Sequence, residues 1–282
     1  MGLMTFMARR FVAGKTPEAA LRAVRKLNEH NISATLDILG ENVTNRQEAA
    51  RAADAYINLL DRIAKAGVDS NVSLKLTMMG LDIDNELCFD NARRVLQAAS
   101  RHGNFVRVDM EGSDYTQRTL DLVHRLFAQS PNIGAVVQSC LHRSENDVEA
   151  LIKAGITTRL CKGAYREPRE IAYPDRRDVR TNYSKLMRLL LEHGRRPAIA
   201  THDTKLINEC KALVARNGMA KDRFEFQLLY GIRRALQRQV AAEGYRVRCY
   251  VPFGTHWLPY LMRRLRERRA NLYFVLRHLF RR

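Results

Sequence analysis

Repetition restricts this chain more than any single motif does. Eight short apolar runs recur along it: ATLDIL (34–39), VSLKL (72–76), FVRVDM (105–110), IGAVVQS (133–139), TRLCKGA (158–164), PAIATHD (197–203), FEFQLL (224–229) and VRCYVPFG (247–254). Between them lie segments of helical period, among them EAARAADAYINLLDRIAKAG, YTQRTLDLVHRLFAQS, NDVEALIKAG and TKLINECKALVARNG, each ending near a Gly or a polar residue that stops a helix. A buried strand alternating with an amphipathic helix gives parallel strands joined by helical crossovers. Eight units at a spacing of about thirty residues fit a closed barrel. An open doubly wound sheet has fewer strands and a Gly-rich first turn, and no G-x-G-x-x-G follows any of these runs. The expectation is therefore α/β, a (β/α)8 TIM-type barrel, with one extra helix (TPEAALRAVRKLNEHN) before the first strand and a long last helix from about Trp257 to the C-terminus. The 282 residues contain no Pro/Gly/Ser-rich linker, so residues 1–282 read as a single barrel domain.

Composition bears on partners. With 46% hydrophobic and 28% charged residues, the chain has both a core and a solvated surface. The net charge of +18 is concentrated late, with thirteen arginines from Gly231 onward against two acids, Glu243 and Glu267. Such an excess serves nucleic acid, an anionic membrane face, an anionic small molecule or solubility. The arginines interleave with a regular apolar pattern and no nucleic-acid motif accompanies them, so no nucleic-acid partner is expected; a binder of that kind would lose affinity steeply with salt. Cys88, Cys140, Cys161, Cys210 and Cys249 are odd in number, widely spaced and without a C-x-x-C pair, which excludes a disulfide framework and a zinc site and favours a reducing compartment. MGLMTFMARRF is too short for a signal peptide and no run approaches 18 apolar residues. A cytoplasmic protein, at most peripheral to a membrane, is expected.

In a barrel of this kind chemistry sits at the C-terminal ends of the strands. Asp37, Lys75, Asp109, Gln138, Arg159, Lys162, Thr201, His202 and Tyr250 all fall in or just after the apolar runs. Any one of them alone is more often half of a structural ion pair. Nine converging on one rim is different, because burying so much polarity without a use is costly. Lys75 and Asp109, on neighbouring strands, are placed to pair. Arg159, Lys162 and Gln138 add donors, and no Cys/His cluster offers a metal site. A donor-rich mouth of this kind suits a heterocycle carrying phosphates, a flavin among them, and equally a phosphorylated sugar. A desolvated Lys75 or Lys162 would also suit a Schiff-base aldolase. In YLMRRLRE, Tyr260, Arg263 and Arg264 stand at i, i+3 and i+4 on one helical face after the eighth strand. Two arginines so placed fit a carboxylate, and the plainer alternative is a solvated basic helix end. Glu41, after the first strand, is a candidate counter-charge for one of them when no substrate is bound.

The ordered strings LDILGE, VSLKLT, DMEGSDYT, VVQS, RLCKGAYREP, ATHD, EFQLLYGIRR and YVPFGTHWLPYLMRRLRERRANLYFVLR resemble the proline dehydrogenases, including the proline-oxidising domain of bifunctional bacterial enzymes, from Arg10 to the end. The resemblance implies a distorted barrel with non-covalently bound FAD and oxidation of L-proline to Δ1-pyrroline-5-carboxylate, the first step of proline catabolism. It implies that Arg263 and Arg264, with Lys75, bind the proline carboxylate, that Tyr250, Tyr260 and Leu160 wall the ring, and that Asp109 and Arg159 are catalytic. It assigns Met110, Gln138, Arg159, Lys162, Gly163, Ala164, Tyr165, Thr201 and His202 to FAD, and Asp37 to an acid of the family's first strand. It further implies quinone as electron acceptor, with transient contact at the inner membrane of a bacterium. Family enzymes that oxidise hydroxyproline carry a smaller residue at the position of Tyr250, so proline is the expected substrate. Two departures stand out: relatives usually have more helices before the first strand, and Cys140 follows VVQS where a larger, aromatic residue is expected, which bears on local packing.

Overall fold

A computed structural model of the chain describes residues 10–267, with side chains described as far as Met262. Helix α1 (Pro17–Asn28) precedes β1 (Ile32–Ile38), and the alternation continues with α2 (Arg46–Ala66), β2 (Ser70–Leu74), α3 (Asn85–Arg101), β3 (Val106–Val108) and α4 (Thr116–Gln129). Then come β4 (Ile133–Gln138), α5 (Ser144–Lys153), β5 (Thr157–Cys161), α6 (Arg176–His193), β6 (Ala198–Ala200), α7 (Thr204–Arg216), β7 (Glu225–Leu229), α8 (Arg234–Ala242), β8 (Val247–Phe253) and α9 (Trp257–Glu267). The strands close in sequence order, all parallel, with β8 returning to β1. The closed eight-stranded parallel barrel, the helix before it and a helix after β8 agree with the sequence; how far α9 runs past Glu267 lies outside the described residues. Pairing around the barrel is uneven. The β1–β8 seam runs from Ile32 opposite Val247 to Ile38 opposite Phe253, whereas β3 meets β4 only at Val106–Ile133 and Arg107–Gly134.

Helix α2 shows how the outer layer is encoded. Asn45 caps it, its Oδ1 accepting the Glu48 N–H at 2.9 Å, and Glu48 reaches back to accept the Thr44 N–H at 3.3 Å. Gly67 ends it in the left-handed region at φ 61°, where a side chain would be strained. Ala49, Ala52, Ala53, Tyr56, Leu59, Leu60 and Ile63 recur at three- and four-residue steps and are the residues it buries against the barrel. Each fully buried leucine among them contributes roughly 1.5–3 kcal/mol.

Strand side chains alternate between two surroundings. One parity (Leu36, Val72, Leu74, Val106, Val108, Leu160, Phe226, Leu228, Cys249, Val251) joins the main apolar core. The other faces the barrel interior and is polar. Arg159 on β5 donates through Nε to Gln227 Oε1 on β7 at 2.5 Å and through Nη1 to Ser73 Oγ on β2 at 3.4 Å, reaching strands that are not its neighbours. Arg107 on β3 donates to the carbonyls of Ala135 and Thr157, and Arg248 on β8 places Nε 3.0 Å from both Glu225 oxygens. Bulky branched residues usually fill this space. Here it is filled by a hydrogen-bonded charged network that rises toward the strand ends.

Candidate active site

Asp109, the first residue beyond β3, is where that network arrives. Its Oδ1 accepts from Ser73 Oγ at 2.6 Å and from Arg159 Nη1 at 2.6 Å, and its Oδ2 accepts from Tyr250 Oη at 2.6 Å. Strands β2, β5 and β8 thus converge on one carboxylate. The Arg159 guanidinium also lies over the Tyr250 ring, 5.3 Å from its centroid. Burial pushes the Asp109 carboxyl up, but Arg159 and Lys75 outweigh it and hold it below the usual aspartate value, so it is an anion. Burial, then the charges of Asp109 and Asp37, push the Tyr250 phenol well above its usual value, so its hydroxyl remains the donor in that bond.

Lys75, just after β2, completes the cluster. The sequence pairs it with Asp109, and those atoms are 3.9 Å apart; its closer partner is Asp37 on β1, at 2.9 Å from Nζ. Burial works against the ammonium, but Asp37 and Asp109, with Glu41 adding to them, raise Lys75 above its ordinary value. Burial pushes Asp37 up against the pull of Lys75, and its Oδ2 has no hydrogen-bond partner among the described residues. Two cations and two carboxyl groups therefore stand side by side, Asp37 and Lys75 buried and Asp109 half-buried.

A second group lines the β5–β6 side. Lys162 Nζ and Arg180 Nε share Asp203 Oδ2 at 2.7 and 2.9 Å, and Asp203 caps α7 by accepting the Lys205 N–H. Thr201 Oγ1 accepts the Asp203 N–H at 3.1 Å. His202 Nε2 accepts the Leu229 N–H at 3.0 Å, which fixes the ring orientation between β6 and β7. Gln138, at the end of β4, donates to the carbonyl of Glu111, whose buried side chain clasps the N–H and hydroxyl of Thr77. Met110 is buried beside Asp109, Tyr165 is half-buried and Ala164 is exposed. Gly163 lies at φ 106°, against Cys140: a Cβ there would stand 2.3 Å from Cys140 Sγ. The sulfur thus sits where a glycine leaves room, which accounts for the packing at Cys140.

The remaining residues divide. Tyr260 is buried in a small apolar cluster with Phe11, Val12, Leu39, Ile232 and Leu261 near the strand ends. Leu160 has no accessible surface and carries the parity of the outer core, opposite to Arg159, so the structure does not bring it to the mouth with the others. The side chains of Arg263 and Arg264 lie outside the described residues; their backbone belongs to α9. Ser73, Arg107, Glu225, Gln227 and Arg248 escaped the sequence reading. A signal existed: Ser73, Arg107 and Arg248 precede Lys75, Asp109 and Tyr250 by two residues, so they share the inward face. Among the described residues no helix is long and apolar enough to cross a membrane.

A parallel barrel whose strand ends gather a hydrogen-bonded set of acids, cations and a tyrosine defines a (β/α)8-barrel enzyme. Known proteins narrow that class. The proline dehydrogenase family model matches residues 20–277. Proline dehydrogenase of Deinococcus radiodurans is 41% identical over 275 residues, covering 96% of this chain and 89% of that one. Proline dehydrogenase 1 of Bacillus subtilis subsp. natto is 40% identical over 270 residues, with the same coverage of 96% and 89%. Among solved structures, proline utilization A of Bdellovibrio bacteriovorus, inactivated by N-propargylglycine, superposes with a TM-score of 0.86 at 28% identity, covering 93% of this chain and 32% of that much longer one. This chain belongs to the proline dehydrogenase family.

Proposed function

We propose that the chain oxidises L-proline to Δ1-pyrroline-5-carboxylate with FAD bound across the strand ends, as the first step of proline catabolism. The observation that carries this reading is the Asp109 hub: a half-buried carboxylate that locks Arg159, Tyr250 and Ser73 at one mouth while Arg159 Nη2 stays buried without a partner among the described residues. Buried donors are seldom left unmade, so an acceptor on a bound group fits there. The donors of Gln138 and Lys162 fit the same group. Arg159, Met110, Gln138, Lys162, Gly163, Ala164, Tyr165, Thr201 and His202 are its proposed holders. Bound FAD supplies the acceptor for the hydride on the ring carbon next to the proline nitrogen.

The chain's own task is orientation. Lys75 and Arg159 are already engaged by Asp37 and Asp109, so a substrate carboxylate calls for further cations. Arg263 and Arg264, one helical turn beyond Tyr260, are the proposed clamp, with Lys75 beside them. Tyr250 and Tyr260 would confine the ring. Tyr250 keeps its full size, which favours proline over hydroxyproline. Electrons are proposed to leave to a quinone through peripheral membrane contact, a role suited to the basic C-terminal third.

Absorption spectra of the purified protein, before and after anaerobic addition of proline, test the reading. A yellow protein that bleaches with proline, and bleaches poorly with hydroxyproline, is expected; a colourless protein that takes up no FAD ends the proposal. Arg263→Ala is expected to cost about 2–5 kcal/mol in kcat/KM, and an unchanged value removes the clamp.

A further inference from the structure

Below the mouth, Arg159 is held by a residue with no assigned role. Its Nε donates to Gln227 Oε1 at 2.5 Å, and both side chains are buried, with 5% and 4% of their surface exposed. A primary amide has two ends, and only the oxygen can accept from a guanidinium. Glu225, two residues earlier on the same strand and face, settles which end points up. The Gln227 Nε2 amide donates to Glu225 Oε1, and an ionised carboxylate accepts only. Glu225 is in turn fixed by Arg248, whose Nε is 3.0 Å from both its oxygens, and burial is outweighed there by Arg248, so the carboxyl lies below its usual value. The series Arg248, Glu225, Gln227, Arg159, Asp109 is thus polarised in one direction up the barrel axis. Reversing the Gln227 amide would set an N–H against the guanidinium and the carbonyl oxygen against Glu225.

We propose that Gln227, with its amide orientation dictated by Glu225, is the positioning residue that aims the Arg159 guanidinium at the reaction mouth. Gln227 is the middle residue of β7, two residues before the strand's end, and its side chain reaches Arg159, through which it acts rather than on substrate or cofactor. This rests on the proposed function only in that Arg159 serves the flavin and substrate.

The test compares FAD-loaded wild type with Gln227→Leu, Gln227→Glu and Glu225→Gln. Three quantities are read: kcat and KM for proline, the reduction potential and visible spectrum of the bound flavin, and thermal stability without proline. Gln227→Leu removes the acceptor, and kcat is expected to fall about ten- to a hundred-fold with KM nearly unchanged, together with a shifted flavin potential. Gln227→Glu keeps an acceptor toward Arg159 and faces Glu225 with a shared proton, so it is expected to recover most of kcat at low pH and lose it as that proton leaves. Glu225→Gln leaves the amide free to turn and is expected to fall between them. Gln227→Leu with wild-type kcat and potential overturns the proposal, even if its stability drops, because that outcome belongs to a residue that merely fills the barrel. Should Gln227→Leu not fold, wild-type values in Glu225→Gln, or a Gln227→Glu rate independent of pH, overturn it instead. Wild-type protein that neither holds FAD nor oxidises proline would refute the proposed function, a result distinct from either.

Discussion

The Tyr250 hydroxyl donates to Asp109 Oδ2 across 2.6 Å, tying β8 to β3 over 141 residues of chain. Tyr250→Phe removes that bond and keeps the ring beneath Arg159. Hydrogen bonds to charged groups are worth about 1.5–3 kcal/mol, so kcat/KM for proline is expected to fall about ten- to a hundred-fold. Steady-state kinetics checks this. A loss confined to KM would instead assign the hydroxyl to substrate binding alone.

Lys75 and Asp37 form the cluster's tightest acid–cation pair away from Arg159, both nearly inaccessible. Removing one member of a buried pair costs about 3–5 kcal/mol because the other charge is stranded. Lys75→Met is therefore expected to destabilise by that much, and adding Asp37→Asn is expected to restore most of the loss. Urea unfolding of the single and double variants measures it. Equal stabilities of the two would make Asp109, at 3.9 Å, the principal counter-ion instead.

The same cluster sets a pH window. Asp109 titrates below its ordinary value of 3.8 in the folded chain, so its contribution is present above 3.8 and is lost as pH falls through the lower folded value. Lys75 titrates above its ordinary 10.5, so its contribution is present below 10.5 and is lost as pH rises through the higher folded value. The stability gap between wild type and Asp109→Asn is expected to stay level through neutral pH and to close only in acid below 3.8. Unfolding free energies measured across that range test it, and a gap that changes near neutrality would show that another group controls the site.

The barrel was legible because eight repeats of strand and helix leave few alternatives, and the ends of the strands followed within a few residues. Placing Asp37, Lys75, Asp109, Arg159 and Tyr250 together was legible for the same reason, since each is a polar residue in an apolar run. Partner choice was not. Whether Lys75 meets Asp37 or Asp109 depends on stagger between β1, β2 and β3, which sequence spacing does not encode. Gln227 and Glu225 were hidden because an apolar run with polar residues at alternate positions reads as an ordinary half-buried strand. Only closure of the barrel turns that second face inward. Leu160 shows the converse: adjacency to Arg159 in sequence puts it on the opposite face.

Gly163 carries a separate prediction. At φ 106° it occupies backbone space that L-residues rarely enter, and a Cβ would also stand 2.3 Å from Cys140 Sγ and 3.4 Å from Gln138 Oε1. Two costs then add in Gly163→Ala. The backbone strain costs of order 1–3 kcal/mol. The forced contact costs typically about 1–3 kcal/mol. Cys140→Ala removes the sulfur and relieves only the second, so the double variant is expected to recover part of the stability and not all of it. Flavin retention is expected to follow the same order, because the loop from Lys162 to Tyr165 cannot keep its path with a side chain at 163. Thermal unfolding and flavin content of the two single variants and the double variant separate the terms. Full recovery in the double variant would mean that the contact with Cys140, and not the backbone conformation, is what reserves this position for glycine.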